Sequence, residues 1–267
     1  MIPSSIQFKH PPFRLVQGKP LFIAEGEYRE VVADFTASDF IVRLKTFFRG
    51  FSRLYGIIFY VLAPALFLGK GPKSIYKFVP AGGLVAEVGS GNHRLDPNIM
   101  NVDVHPWENV DILADAHDLP FGDGSLDGIV CAWVLEHLRD PVRAVEEFRR
   151  TLKADGVLYL STNFIMPHHP SPHDYYRWTA EGLKELFSDW KIVELKPIIG
   201  PTCALLFIVQ EWLAIALSFN IRPLKDFLWI ILTILTFPIK IFDLLLIRYR
   251  TAEVITTGFY VIARKRS

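Results

Sequence analysis

The residues of this chain that could do chemistry cluster at the ends of short apolar runs. In "LVAEVGSGNHRLDPNIMNVDVH", Leu84 to His105, one run carries Glu87 and opens into Gly89-Ser90-Gly91, and the next ends on Asp103. A Gly-x-Gly turn after a strand brings backbone close to a nucleotide-like ligand. The spacing is not that of a dinucleotide site. Asn92 and His93 stand where a third small residue is usual, and only Gly89 to Ile99 separates the two runs, too little for a full crossover helix. A third run, Val110 to Ala114, leads to Asp115, Ala116 and His117. Acids at three successive strand ends mark the sheet edge where open α/β sheets bind ligands.

A second concentration lies in "NFIMPHHPSPHDYYRWT", Asn163 to Thr179, which holds His168, His169, His173, Asp174, Tyr175, Tyr176 and Arg177. An imidazole titrates near neutral pH and suits general-base work, so His173 is the first candidate base. His137, in "LEHL", is the second. The histidine spacing matches no strong metal motif, and no metal is expected. A packing role competes: Arg177 and Asp174 can pair with each other, and Tyr176 and Trp178 can anchor the entry to the next helix.

The elements that must position these residues alternate. Strand signals recur at Leu84–Val88, Met100–Val104, Val110–Ala114, Leu126–Trp133, Gly156–Thr162, "WKIVELKP" and Gly258–Lys265. Between two of them "DPVRAVEEFRRTLKADG" spaces Val142, Val145, Phe148 and Leu152 as a helix does, with Pro141 at its start and Gly156 past its end. Thr179 is the expected N-cap of a further helix that buries Leu183, Leu186 and Phe187. Strand, helix, strand in this order predicts a parallel α/β sheet.

On these motifs the stretch Val85 to Phe164 resembles the class I S-adenosylmethionine-dependent methyltransferases of small-molecule type. "VAEVGSGN" corresponds to the glycine loop, "NVDV" to the second strand's acid, "ADAHDLPFGDGSLDGIVCAWVLEHLRDP" to the third-strand acid through the segment after the fourth strand, and "EEFRRTLKADGVLYLST" to the helix and fifth strand. The resemblance implies a Rossmann-like, doubly wound, mostly parallel seven-stranded sheet with an antiparallel last strand. It implies S-adenosylmethionine as cofactor, held by Glu87, Gly89, Ser90, Gly91, Asp103, Val104, Asp115, Ala116, His117 and Trp133. This cofactor has no pyrophosphate, so a short loop suffices, and its cationic sulfonium and amino groups favour Glu87 where a phosphate binder would avoid an acid. Asp103 would accept both ribose hydroxyls, and Asp115 with the following backbone would read adenine. The three acids are expected to share one cavity. Arg94 is a candidate partner for the methionine carboxylate. The segment after the fifth strand is implied to face the acceptor, through His168, His169, Asp174, Tyr176 and Arg177. A nicotinamide dehydrogenase would use the same strand-loop-strand, but the third glycine and an obvious hydride site are missing.

Bulk properties narrow the class. With 51% hydrophobic residues and a net charge of +1, the 267-residue chain can bury a sizeable core and has no whole-surface attraction for nucleic acid. Its charge is uneven. Arg43, Lys45, Arg49, Arg53, Lys70, Lys73 and Lys77 stand against Asp39 alone between Thr36 and Pro80, whereas eleven acids face only Arg94 and Arg139 from Ala81 to Asp140. Cys131 and Cys203 form neither a metal spacing nor a disulfide framework, which fits a reducing compartment. The first 20 residues contain no apolar h-region of a secretory signal.

The remaining segments are greasier than a soluble enzyme requires. Leu44, Phe47, Phe48, Phe51, Leu54, Tyr55 and Ile58 recur at helical spacing opposite Lys45, Arg49 and Arg53, the pattern of a basic interfacial helix. Before the last strand, "CALLFIVQEWLAIALSF" and "DFLWIILTILTFPIKIFDLLLI" flank the turn-like "NIRPLK". In the second, Asp226, Thr233 and Lys240 recur every seven residues, joined by Thr236 and Asp243. Such a stripe makes simple spanning costly and predicts a helical hairpin lying in one leaflet. A dimer interface, a buried lid and a transmembrane hairpin are the alternatives. The expected organisation is a basic, apolar N-terminal cap over residues 1–80 and a methyltransferase domain over 81–267, interrupted by an apolar helical insertion at 201–250. The expected function is methyl transfer on the cytoplasmic face of a membrane, to a lipid, an isoprenoid-like acceptor or a lipid-linked saccharide, by a peripheral or monotopic protein. A soluble methyltransferase that dimerises through the insertion and a non-catalytic membrane adaptor are the rivals.

Overall fold

The computed structural model of the chain describes residues 2–3, 5–34, 65–170 and 173–266. The basic interfacial helix expected around Lys45, Arg49 and Arg53 lies outside the described residues. Nine strands form one sheet: β1 (Arg14–Val16), β2 (Lys19–Leu21), β3 (Val85–Val88), β4 (Met100–Asp103), β5 (Ile112–Leu113), β6 (Leu126–Ala132), β7 (Leu152–Asn163), β8 (Trp190–Ile199) and β9 (Gly258–Lys265). Their order is β1-β2-β5-β4-β3-β6-β7-β9-β8. The run β5-β4-β3-β6-β7 is parallel, and β9 is antiparallel to both of its neighbours. Strand order reverses between β3 and β6, which opens a crevice at their carboxyl ends.

The sheet exceeds the expected seven strands by β1 and β2, which come from the segment predicted to be a cap. Gln17 and Gly18 both have positive φ, 50° and 78°, the two-residue turn that matches strand twist. Leu21 then pairs with Leu113 and is buried with Ile23, Tyr28 and Val110, so edge strand β5 is extended outward. Helix α1 (Glu25–Asp34) follows.

Helix α2 (Pro141–Thr151) begins where Asp140 accepts a 3.1 Å hydrogen bond from the Arg143 backbone N–H, and it buries Ala144, Val145 and Phe148. Val142, expected on that face, is 55% exposed. It lies six residues, about 1.7 turns, before Phe148, so the two cannot share a stripe. Helix α3 (Ala180–Leu186) starts at Thr179, whose hydroxyl accepts from the Gly182 N–H at 3.0 Å, as the sequence predicts. These helices and Phe8 and Phe22 cover one sheet face. The other face, with Val85, Val130, Tyr159 and Tyr260, is covered by Ile75 of a 3-10 turn at Pro72–Lys77 and by Cys203. The Gly89-to-Ile99 crossover contains turns and no helix.

The apolar insertion is a helical hairpin between β8 and β9, made of α4 (Pro201–Leu217) and α5 (Arg222–Thr236), the latter continued by short turns to Leu246. Its polarity is inverted. Thr233, Lys240 and Asp243 are 2%, 4% and 0% exposed, whereas Trp212, Phe219 and Leu235 are 65%, 83% and 70% exposed. The predicted polar stripe forms the inner seam: Gln210 donates to the Thr236 hydroxyl at 2.6 Å, and Lys225 pairs with Glu211. Both cysteines are buried and free.

Candidate functional site

Strand register brings the acids to adjacent positions. Glu87 lies opposite Asn101, and Asp103 opposite Leu113, one residue before Ala114 and two before Asp115. Gly89 and Gly91 both have positive φ, 73° and 55°. A Cβ on Gly89 would come within 2.3 Å of Val134, which explains that glycine by close approach. A Cβ on Gly91 would meet nothing within 4 Å, so the loop's second glycine faces open space. Asp103 fixes this loop: its Oδ2 accepts from the Gly91 N–H at 2.8 Å and its Oδ1 from the His105 N–H at 2.9 Å. Burial raises the Asp103 pKa despite those bonds and lowers that of His105.

Glu87 is the least compensated acid. It is 6% exposed, and its Oε2 has no hydrogen-bond partner. Burial raises its pKa to about 7, against the Leu95 backbone N–H and the Arg94 charge, which lower it. A buried carboxyl group with an unpartnered oxygen beside an open glycine loop suits a cationic ligand. Ser90 is buried, and its N–H donates to the Val102 carbonyl at 3.2 Å. Trp133 follows β6 with φ 60°, a strained conformation for a bulky residue, and packs edge-on against Phe67 at 5.9 Å.

Of the three acids expected to share one cavity, Asp115 alone lines a cavity of about 310 Å³, with His117, Phe22, Glu27 and Arg143, and Glu87 and Asp103 do not line it. Asp115 Oδ1 accepts from the His117 N–H at 2.7 Å and meets its Nδ1 at 2.5 Å. Burial opposes the Asp115 charge, but the His117 bonds bring its pKa down, and the Asp115 bond raises that of His117. Val104 packs with the Leu21 cluster, and Ala116 is buried in the main core. Arg94, the candidate carboxylate partner, is committed elsewhere. It donates to the Ile99 and Asn109 carbonyls at 3.0 and 2.7 Å and to Asp111 at 2.9 Å, bracing the helix-free crossover.

The segment from Asn163 to Thr179 is organised by Glu136, the neighbour of the candidate base His137. Glu136 is fully buried and accepts from Thr162 Oγ1 at 2.9 Å and Asn163 Nδ2 at 2.6 Å. Its backbone carbonyl accepts from the Tyr175 N–H at 2.8 Å. The only hint in the sequence was an acid inside an apolar strand-to-turn run. His137 Nδ1 lies 2.5 Å from the His173 carbonyl, so it donates there and leaves Nε2 as the basic nitrogen. The His137 and His169 rings stand edge-on at 5.1 Å. Ligand-capable atoms of Glu136, His137 and His169 lie within 4.8 Å of one another. Each Glu136 oxygen also accepts a hydrogen bond, from Thr162 and from Asn163.

His173 and His168 are exposed. His173 contributes its carbonyl, and its ring lies 5.4 Å from that of Tyr175. Asp174 and Arg177 form a two-point pair at 2.5 and 2.6 Å, and Arg177 also donates to the Met166 and Pro167 carbonyls. Burial opposes the Asp174 charge, yet Arg177 and the His169 backbone bring its pKa to about 2. This pair shapes the loop. Tyr176 donates to the Arg139 carbonyl at 3.1 Å and its ring lies 5.5 Å from that of Trp178.

Residues 94–160 match the family model described as a methyltransferase domain. That stretch, about a quarter of the chain, is similar to methyltransferase domains. Over 100 residues it is 34% identical to an uncharacterized 37.1 kDa protein in transposon TN4556 of Streptomyces fradiae, covering 36% of this chain. Over 59 residues it is 39% identical to the uncharacterized methyltransferase YcgJ of Bacillus subtilis, covering 22% of this chain. The chain spans 29% and 21% of the length of these two curated relatives. The crystal structure of YcgJ from Bacillus subtilis aligns with 73% of this chain and 97% of its own, at 16% identity and a TM-score of 0.44. Just before the matched stretch, the unpartnered Glu87 oxygen and the open space at Gly91 fit a cationic ligand such as S-adenosylmethionine.

Proposed function

We propose that this domain transfers a methyl group from S-adenosylmethionine to an amphiphilic acceptor, a lipid, an isoprenoid-like molecule or a lipid-linked saccharide, at the cytoplasmic face of a membrane. The inverted hairpin, placed where it is, carries this reading. β8 ends at Ile199 and β9 begins at Gly258, which pairs with both Ile199 and Asn163 at the end of β7. The hairpin therefore rises from the carboxyl edge of the sheet. The segment carrying the histidines starts at its root, where the Phe164 and Ile165 N–H groups donate to the Thr257 and Thr256 carbonyls at 2.7 and 3.1 Å.

Soluble monomers rarely expose contiguous apolar patches above a few hundred Å². The outer side of this hairpin presents Leu205, Ile208, Trp212 and Ile215 from α4 and Phe227, Ile234 and Leu235 from α5. Arg222–Leu246 is also, by length and composition, long and apolar enough to cross a membrane. Its buried Lys240 and Asp243 belong to the seam with α4, which favours a hairpin seated in one leaflet.

S-adenosylmethionine supplies, when bound, a methyl group on a cationic sulfur. Glu87, once ionised, balances that cationic ligand, and Asp103 holds the loop and offers its remaining lone pairs to ribose hydroxyls. His137 Nε2, oriented by the His173 carbonyl, accepts the acceptor's proton. Placement of acceptor and donor at one edge supplies most of the rate.

The test is to incubate the full chain with labelled S-adenosylmethionine and separated membrane and soluble extracts, then partition the products between organic solvent and water. Label in the organic phase from membranes is expected. Label only in water-soluble products points to a soluble methyltransferase whose hairpin covers a second copy.

A further inference from the structure

A second cavity, of about 660 Å³, lies between the 3-10 turn at Pro72–Lys77 and the helix-free crossover at His93–Leu95. It is lined by Lys70, Lys73, Ser74, Lys77, His93 and Arg94, and no carboxylate is among its lining residues. Lys70 pairs with Glu194 and Arg94 with Asp111, whereas Lys73 and Lys77 have no ion pair among the described residues. The buried Ser74 hydroxyl has no hydrogen-bond partner there either. Two uncompensated ammonium groups and an unused hydroxyl around an acid-free cleft fit a phosphate group.

The cleft's position says which phosphate. Leu95 lines it, and the Leu95 backbone N–H bonds Glu87 of the cofactor site. On its other side, Lys70 follows Phe67 by three residues. Phe67 pairs with Ile199 at the hairpin root, and the Leu66 N–H reaches Cys203 of α4. Three residues of extended chain span about 10 Å, shorter than a lipid tail. A molecule with its phosphate in the cleft can therefore lay an apolar chain against the hairpin.

We propose that this cleft binds the phosphate of an anionic lipid, which makes the acceptor a phospholipid or polyisoprenyl-phosphate type of molecule. The inference rests on the membrane-acceptor reading and adds the phosphate and the residues that take it.

Flotation of the full chain on phosphatidylcholine vesicles, with and without phosphatidic acid, separates the two claims. Binding to phosphatidylcholine alone tests the hairpin. The gain from phosphatidic acid at fixed ionic strength tests the cleft, and two lysines near a charged surface are expected to give roughly tenfold to thirtyfold. Lys73→Gln/Lys77→Gln should abolish most of that gain and keep binding to neutral vesicles. Lys184→Gln/Lys191→Gln, with the same charge loss far along the chain, should keep it. Both doubles should bind S-adenosylmethionine as the unaltered chain does. The cleft assignment is overturned if the first double variant retains the full gain, or if the second loses as much. If no vesicle is bound at all, the hairpin reading fails, and calorimetry with inorganic phosphate then decides the cleft: phosphate binding lost in Lys73→Gln/Lys77→Gln would assign it to a soluble phosphate and overturn the lipid.

Discussion

Asp243 closes the hairpin onto its own root: its Oδ1 accepts from the Thr202 N–H at 2.7 Å and its Oδ2 from the Cys203 N–H at 2.9 Å. A buried carboxylate thereby caps the first turn of α4 from the far end of the second arm, where its charge complements the helix dipole. Gly200 permits the approach, because a Cβ there would lie 2.3 Å from the Asp243 Cγ. Asp243→Ala should destabilise the protein by about 2 to 3 kcal/mol, from two charged hydrogen bonds lost in a buried site. Chemical denaturation checks this, with limited proteolysis showing earlier cleavage in residues 218–221.

Glu87 makes both stability and ligand binding depend on pH, in opposite directions. Its folded pKa, about 7, is raised above the ordinary 4.5 by burial. Its contribution to ligand-free stability is thus complete below about pH 4.5 and is lost as pH rises through about 7, by about 3 kcal/mol in total. A cationic ligand selects the ionised form, so S-adenosylmethionine affinity should rise about tenfold from about pH 6 to about pH 8. Glu87→Gln should flatten both profiles, measured by urea titration and calorimetry. A pH-independent affinity in the unaltered chain would remove Glu87 from the cofactor site.

Asp103→Ala should weaken S-adenosylmethionine binding by about 1.5 to 3 kcal/mol, through lost charged hydrogen bonds to ribose and a loosened Gly91. Asp115→Ala should cost less. Its carboxylate is engaged with His117 and faces a cavity that Glu87 and Asp103 do not line. Equal losses in titrations of the two variants would mean that the acids share one pocket in solution.

His137→Gln should lower turnover by about 10² or more while leaving cofactor affinity unchanged, as expected for a base whose Nε2 is freed by the His173 carbonyl. His173→Ala keeps that carbonyl and should change turnover little. Adding a chelator should leave activity intact, since the base proposed is a single imidazole nitrogen of His137 that acts without a metal. Activity restored to chelated enzyme by a divalent ion would instead make Glu136, His137 and His169 a metal centre.

What the sequence revealed and what it hid have distinct physical causes. β9 occupies the predicted Gly258–Lys265, Thr179 caps its helix and Pro141 begins the other, because alternation, capping and proline placement are local signals. β1 and β2 escaped notice because they are three residues each and the second contains Pro20, which argues against a strand away from an edge. Glu136 was illegible because its role depends on Thr162 and Asn163, 26 and 27 residues away. His173 outranked His137 in the sequence for its company of polar aromatics, yet what it supplies to that contact is its carbonyl. The polar stripe of the insertion was visible, but its direction was not: periodicity locates a face without saying what meets it.

That direction carries the last prediction. Trp212 and Leu235 lie on the outer side of the two arms, 65% and 70% exposed, and neither is in the Gln210–Thr236 seam. Replacing both with glutamate leaves the seam intact and removes apolar surface while adding charge where a leaflet would be. Each glutamate placed in hydrocarbon costs about 2 kcal/mol or more, so vesicle binding should fall by at least a hundredfold while S-adenosylmethionine affinity and the urea midpoint stay unchanged. Light scattering of the double variant without detergent should report a monomer. If vesicle binding persists and a detergent-free dimer of the unaltered chain dissociates instead, the outer side of the hairpin meets a second copy of the protein, and the acceptor need not be a lipid.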